Sequence, residues 1–147
     1  MIIVWGESET GKSSFAINLI KEKKNSLYIL LDKDVAAMNK LKENKIDFSI
    51  MNNCFLMDLK YRLLENGGLI NNSLEYVVID SINLIRDKKT YSEKIAYLDE
   101  MAEAFGVKIA LVLNVLKDRD KIIKSLYSES HKFINVGIFT QHLSRLL

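Results

Sequence analysis

The sequence predicts an α/β domain, a three-layer sandwich in which helices cover both faces of a mostly parallel central sheet. Short apolar runs alternate with amphipathic segments along almost the whole chain. Such alternation is typical of parallel strands joined by helical crossovers. In addition, a polar loop bounded by glycines separates the first apolar run from the first amphipathic segment. The length of 147 residues suits one compact unit, so we expect a single domain over residues 1–147.

The first half of the chain contains three predicted strands and three predicted helices. The strands are short apolar runs at residues 1–5, 26–32 and 47–51. The helices show apolar residues at helical spacing and span residues 12–24, 34–45 and 55–68. In the second helix, this spacing predicts that Val35, Met38 and Leu41 face the core.

The second half continues the alternation. Strands are predicted at residues 75–82, 107–116 and 132–140, and helices at residues 92–106 and 118–130. Ser92 is the expected N-cap of the first of these helices, and Gly106 is its expected end. The last seven residues carry no pattern that predicts an element.

The composition is that of a globular protein, with 48% apolar residues, 27% charged residues and a formal net charge of +2. This charge neither requires nor excludes a nucleic-acid partner, because a basic face can be local. The one cysteine, Cys54, excludes an internal disulfide and favours a reducing, cytoplasmic location. No apolar run approaches the roughly 20 residues of a membrane helix, so no membrane partner is expected.

The loop after the first strand carries the most specific motif. Gly6, Gly11, Lys12 and Ser13 fit the pattern G-x-x-x-x-G-K-[ST]. Glycines permit unusual dihedrals and close approach to a ligand, and the backbone N–H groups and the following helix N-terminus attract phosphate. Lys12 is expected to reach the β- and γ-phosphates of a nucleoside triphosphate, and Ser13 to ligate Mg²⁺.

The whole loop is expected to surround the nucleotide. Its predicted binding residues are Gly6, Glu7, Ser8, Glu9, Thr10, Gly11, Lys12, Ser13 and Ser14. Because Glu7 and Glu9 are acidic, their side chains must point away from the phosphates.

Asp80 ends the apolar run "YVVID" and is the candidate second metal-site residue. A carboxylate at the end of a buried strand is expected to have a cation or metal nearby. We predict that it supports Mg²⁺ beside Ser13. The alternative is an aspartate that only caps the following turn.

Three further residues are candidates for the hydrolysis itself. Asp32 and Asp34 follow the second strand and could orient or deprotonate water, or could be solvated turn residues. Asn114, near the end of the fifth strand, could sense the γ-phosphate or simply end the strand. Together with Lys12, Asp34 and Asn114 form the predicted catalytic set.

Four segments resemble those of the RecA/RadA recombinase superfamily. "GESETGKS" is similar to its Walker A loop, and "YVVIDSINLIR" to its Walker B segment. "LYILLDKD" resembles the strand that carries the family's catalytic glutamate, and "IALVLNVLKD" the strand that leads into its second DNA-binding loop. The resemblance implies a minimal RecA-like P-loop NTPase core, ATP with Mg²⁺ as cofactors, and DNA as a partner. It also implies assembly with itself or with a RecA-like recombinase.

The sequence departs from the family at two catalytic positions. Asp34 falls where the family has its glutamate, and a carboxylate displaced by about 1 Å can slow a reaction by on the order of a hundredfold. Val115 falls where bacterial recombinases place a γ-phosphate-sensing glutamine. Hydrolysis is therefore expected to be slow.

A basic segment follows the fifth strand, where the resembled family contacts DNA. It contains Lys117, Arg119, Lys121 and Lys124, interrupted by two aspartates. It could bind single-stranded DNA without sequence preference, or it could be an ordinary solvated face.

Three functions fit these residues. The first is an ATP-binding, hydrolysing protein of DNA recombination or repair, whose nucleotide state controls assembly or DNA binding. The second is a non-catalytic, nucleotide-dependent interaction module. The third, a small-molecule kinase, is disfavoured because Arg62, Arg86, Arg119 and Arg145 are scattered, whereas kinases gather arginines around the transferred phosphate.

Overall fold

The computed structural model describes residues 1–7, 11–67, 74–115 and 131–136. Within these ranges the strands are β1 (Ile2–Gly6), β2 (Ser26–Leu30), β3 (Phe48–Ile50), β4 (Tyr76–Asp80), β5 (Lys108–Asn114) and β6 (Lys132–Asn135). The helices are α1 (Lys12–Ile20), α2 (Val35–Glu43), α3 (Leu56–Gly67) and α4 (Tyr91–Phe105), with a short 3₁₀ turn at Ile82–Leu84.

The strands form one sheet in the order β3-β2-β4-β5-β1-β6, and every described pairing is parallel. One apolar core lies between the sheet and α1 and α2, and a second lies between the opposite face and α3 and α4. The predicted three-layer sandwich with a mostly parallel sheet is therefore confirmed.

The inward face of α2 differs from the prediction. Ala37 and Leu41 are buried, whereas the side chain of Val35 is 59% exposed. Two residues correspond to about 200° of rotation around an α-helix, so Val35 lies opposite Ala37. The prediction that Val35 faces the core is wrong, because the residues of α2 that are buried in the core are Ala37 and Leu41, which lie four positions apart.

The start of α4 also differs from the prediction, since Thr90 and not Ser92 is its N-cap. The Thr90 hydroxyl accepts a hydrogen bond from the Glu93 N–H at 3.1 Å, and the Glu93 carboxylate accepts one from the Thr90 N–H at 3.2 Å. This capping box satisfies two N–H groups at once, which Ser92 could not do from inside the first turn. Gly106 ends the helix at φ 66°, as predicted.

The sheet brings the predicted site residues to one edge. In a parallel sheet the carboxyl ends of all strands lie together, and ligands bind in the crevice outside them. Gly6 is paired with Asn114, and Asp80 with Val112. Among the described helices, none is long and apolar enough to cross a bilayer. The predictions for residues 118–130, 137–140 and 141–147 lie outside the described residues.

Candidate functional site

The residue that precedes α1 is a glycine in an unusual backbone conformation. Gly11 stands at the N-cap of α1 with φ 87° and ψ 22°, a left-handed conformation that side chains disfavour. A Cβ at Gly11 would meet no atom within 4 Å, so the dihedrals and not the space require glycine. No side chain among the described residues caps α1, an arrangement that suits an anion at its N-terminus. Ser8, Glu9 and Thr10 lie outside the described residues.

Lys12 is the first residue of α1, and its side chain is only 5% exposed. Its ammonium donates a hydrogen bond to the backbone carbonyl of Glu7. Burial lowers the pKa of Lys12, although the carboxylates of Asp80 and Glu7 act in the opposite direction. An anion bound beside this ammonium would favour its charged form.

Asp80, at the end of β4, receives two short hydrogen bonds on the same oxygen. The Ser13 hydroxyl donates to Asp80 Oδ2 at 2.7 Å, and the Tyr28 phenol donates to it at 2.6 Å. Ser13 follows Lys12 in α1, so this contact joins the loop to β4 across the intervening strand β5. With its hydrogen directed to Asp80, Ser13 Oγ keeps its lone pairs for a cation.

Asn114 is held at the end of β5 by a side-chain amide. The Asn83 carbonyl accepts from the Asn114 backbone N–H, and the Asn83 amide donates to the Asn114 backbone carbonyl, each at 2.7 Å. The Asn114 side chain donates to the Ser81 hydroxyl at 3.3 Å. The peptide bond between Asp80 and Ser81 is cis. The backbone of Asn114 is thus fixed while its side chain lines the cleft.

Asp34 lines the cleft and also caps α2. Its Oδ1 accepts a hydrogen bond from the Ala37 N–H at 3.1 Å, so one carboxylate oxygen already has a structural role. Asp32 lines the same cleft. Partial burial, and then the carboxylates of Asp80 and Asp34, raise the pKa of Asp32.

Replacing Asp32 by asparagine is expected to raise the melting temperature of the nucleotide-free protein at pH 7. A raised carboxyl pKa means that the ionised form is less favourable in the folded than in the unfolded chain. This penalty is fully present above the folded pKa and disappears as the pH falls below the unfolded value of about 4. Thermal unfolding between pH 7 and pH 3.5 measures the difference between Asp32→Asn and the parent.

The matched control is Asp47→Asn, an exposed aspartate outside the cleft. We expect the melting temperature to rise more in Asp32→Asn than in the control at pH 7. This rise should become smaller as the pH is lowered to 3.5. An equal melting temperature at pH 7, or a gain that persists at pH 3.5, would contradict the electrostatic explanation.

These residues border one open cleft of about 300 Å³. Its walls come from the N-termini of α1 and α2 and the ends of β4 and β5. The lining residues are Gly11, Lys12, Ser13, Ser14, Asp32, Asp34, Ala36, Ala37, Lys40, Asp80, Ser81, Leu84, Val112 and Asn114. The structure thus brings Lys12, Ser13, Ser14, Asp34, Asp80 and Asn114 together. Glu7 is exposed, and Gly6 is the buried last residue of β1.

Sequence reasoning missed three contributors to this site. Lys40 of α2 donates to the Ser14 hydroxyl at 2.5 Å, but in the sequence it is one of several surface lysines. Asn83 lies two residues beyond Ser81, and no pattern in the sequence indicates its hydrogen bonds with Asn114. Tyr28 could only be interpreted as an apolar strand residue, because its hydroxyl meets Asp80 through the pairing of β2 with β4.

The oxygen ligands present fit a magnesium ion. Mg²⁺ prefers hard oxygen donors and is commonly held by one or two carboxylates together with substrate phosphates. The Ser13 hydroxyl and the Asp80 carboxylate are such donors, 2.7 Å apart, beside an open N-cap. Ser13 would contact the ion directly, and Asp80 would support it.

No family model and no curated protein sequence matches this chain. Among solved structures 103 chains match, so the fold is a recurrent one. One of them, an ATPase domain, superimposes with a TM-score of 0.61 at 12% sequence identity. The match covers 82% of this chain and 58% of that chain, so this chain spans a little over half of the other's length. The all-parallel sheet and this likeness together show that the chain has the α/β fold of that ATPase domain.

Proposed function

We propose that this protein binds ATP with Mg²⁺, hydrolyses it slowly and acts in DNA recombination or repair, with its nucleotide state controlling assembly or DNA binding. The observation that carries the proposal is the 2.7 Å contact between Ser13 and Asp80, beside the buried Lys12. It joins the two halves of the proposed nucleotide site, which are 67 positions apart in the sequence.

The residues of the loop would bind and orient the triphosphate. Lys12 would exchange its contact with the Glu7 carbonyl for the β- and γ-phosphates, which carry full negative charge. Lys40 would extend the positive potential along the phosphates, because its ammonium contacts the Ser14 hydroxyl in the same cleft. Magnesium, held by Ser13 and Asp80, would offset the negative charge that develops on the phosphate oxygens.

Asp34 and Asn114 would serve the hydrolysis. In this step a water oxygen forms a bond to the γ-phosphorus, and the bond from that phosphorus to the β–γ bridging oxygen breaks. Asp34 would accept the proton that the water loses, and ADP leaves with the electron pair of the broken bond. Asn114 would orient the γ-phosphate, since its backbone N–H and carbonyl are both held by the Asn83 side chain.

Single-stranded DNA and a second subunit are the proposed partners. The supports are the resemblance to recombinases and the basic segment after β5. The residues Lys117, Arg119, Lys121 and Lys124 of that segment lie outside the described part of the chain. Nucleotide binding would then change the contacts made by residues at the edge of the cleft. This change would alter the assembly of the protein or its affinity for DNA.

The second candidate is a nucleotide-dependent interaction module without turnover. The observation that favours it is the hydrogen bond from the Ala37 N–H to Asp34, because one oxygen of this carboxylate is already engaged as a helix cap. A kinase is less well supported. Of the arginines in the described residues, Arg62 contacts Ser49 and Arg86 contacts Asn53, and neither lines the cleft.

ATP turnover in Asp34→Asn tests the proposed base. Asparagine is as good an N-cap as aspartate, so α2 should keep its start while the proton acceptor is lost. We expect turnover to fall by on the order of a hundredfold or more, with Mg-ATP affinity within about threefold of the parent. Phosphate release is measured with and without single-stranded DNA, and Asp47→Asn is the control.

Three outcomes separate the hypotheses. Turnover that is stimulated by DNA and lost in Asp34→Asn supports the recombination protein. ATP binding without turnover, together with a rate gained in Asp34→Glu, supports the interaction module. Failure to bind DNA in the presence of ATP analogues removes the role in recombination.

A further inference from the structure

Tyr28 is a buried phenol that contacts the candidate metal site without facing the cleft. It lies in β2 opposite Val78 of β4, and its side chain is fully buried in the core beneath α1 and α2. Asp80 is two residues beyond Val78 on the same face of β4, a diagonal neighbour about 7–8 Å away in a sheet. An aromatic side chain spans that distance, which explains the hydrogen bond of 2.6 Å between the two side chains.

The Tyr28 hydroxyl donates its hydrogen bond from within the core and not from the cleft. At 2.6 Å this bond to Asp80 Oδ2 is short, and it holds that oxygen in one direction.

The two donors to Asp80 differ in what else they can do. Ser13 belongs to the loop that would bind phosphate, and its oxygen would contact the metal ion. Tyr28 belongs to the sheet and does not line the cleft, so it can reach nucleotide only through Asp80. Because Tyr28 is fixed in the sheet, its hydroxyl holds Asp80 Oδ2 in one direction. The carboxylate is therefore already ordered before the ion binds.

We propose that Tyr28 is a positioning residue that sets the affinity of the site for Mg²⁺ by holding Asp80 in place. The inference rests on the proposed function, because it requires a magnesium nucleotide at Ser13 and Asp80. Partners that hold a metal-site carboxylate typically contribute about tenfold to a hundredfold in metal affinity.

The test is Tyr28→Phe, which keeps the ring in the core and removes only the hydroxyl. Binding of a fluorescent ATP analogue is followed while Mg²⁺ is titrated, and Mn²⁺ binding to the protein–nucleotide complex is measured by electron paramagnetic resonance. We expect the metal concentration at half-saturation to rise about tenfold for both ions. Nucleotide affinity in EDTA should stay within about twofold of the parent, because the phenol does not touch nucleotide. The control is Tyr61→Phe, whose parent side chain is 59% exposed on α3.

The outcomes distinguish this inference from the proposed function. A parent protein that binds no nucleotide with Mg²⁺ overturns both. A parent that binds it, with an unchanged metal midpoint in Tyr28→Phe, overturns the inference alone, even if the melting temperature falls, because a purely structural role would lower stability only. A raised midpoint in Tyr28→Phe, with Tyr61→Phe unchanged, supports the inference.

Discussion

Lys12→Ala is expected to lower the affinity for Mg-ATP by on the order of a hundredfold or more, the largest effect on nucleotide binding that we expect from a single change among the described residues. Removing one partner of a desolvated charge pair typically loses about 2–5 kcal/mol, and every 1.4 kcal/mol is about tenfold in affinity. Lys12 is 5% exposed, so its interaction with phosphate would be little screened by water. Calorimetric titration of Mg-ATP into the parent and the variant measures the loss.

The same change should leave the nucleotide-free protein folded. Burial lowers the pKa of Lys12, so the charged side chain is held at a penalty that alanine does not have. The melting temperature of Lys12→Ala should therefore be no lower than that of the parent. Lys21→Ala, at the exposed C-cap of α1, is the matched control and should bind normally. Unchanged ATP binding in folded Lys12→Ala would refute the proposed nucleotide site.

Asp80→Asn carries the second largest expected effect on nucleotide binding, a loss of the contribution of Mg²⁺. Asparagine keeps the shape of the side chain and can still accept hydrogen bonds from Ser13 and Tyr28, but it lacks the negative charge that supports the cation. We expect the Mg²⁺ concentration at half-saturation to rise by about tenfold to a hundredfold, and turnover to fall at least as much at low Mg²⁺.

Removal of the metal provides the internal comparison for Asp80→Asn. In EDTA the parent and the variant should bind ATP with similar affinity, because the difference between them lies in the support of the ion. Asp99→Asn, on α4 and outside the cleft, is the control. If Asp80→Asn weakens ATP binding equally with and without Mg²⁺, Asp80 acts on the nucleotide or the fold and not on the metal.

The pattern of apolar segments was sufficient to predict the layers of the fold. The runs ending at Gly6 and Asp80 are continuous and not alternating, as expected for strands buried on both faces. The element boundaries were less predictable, as Thr90 and Val35 show. A cap depends on which hydroxyl meets which N–H group, and the buried row of a helix depends on where the helix begins. Residues one or two positions apart therefore compete for each role.

The sequence by itself was sufficient to predict a phosphate-binding loop, because Gly6, Gly11, Lys12 and Ser13 lie within eight consecutive residues at the spacing of the motif. It also marked Asp80, since a carboxylate that ends a buried strand stands out from its apolar neighbours. Only the tertiary structure decided that Tyr28 and Asn83 belong to the same site. Their contacts join residues 52 and 31 positions apart, and such distances depend on the strand order and register of the sheet, which no local pattern encodes.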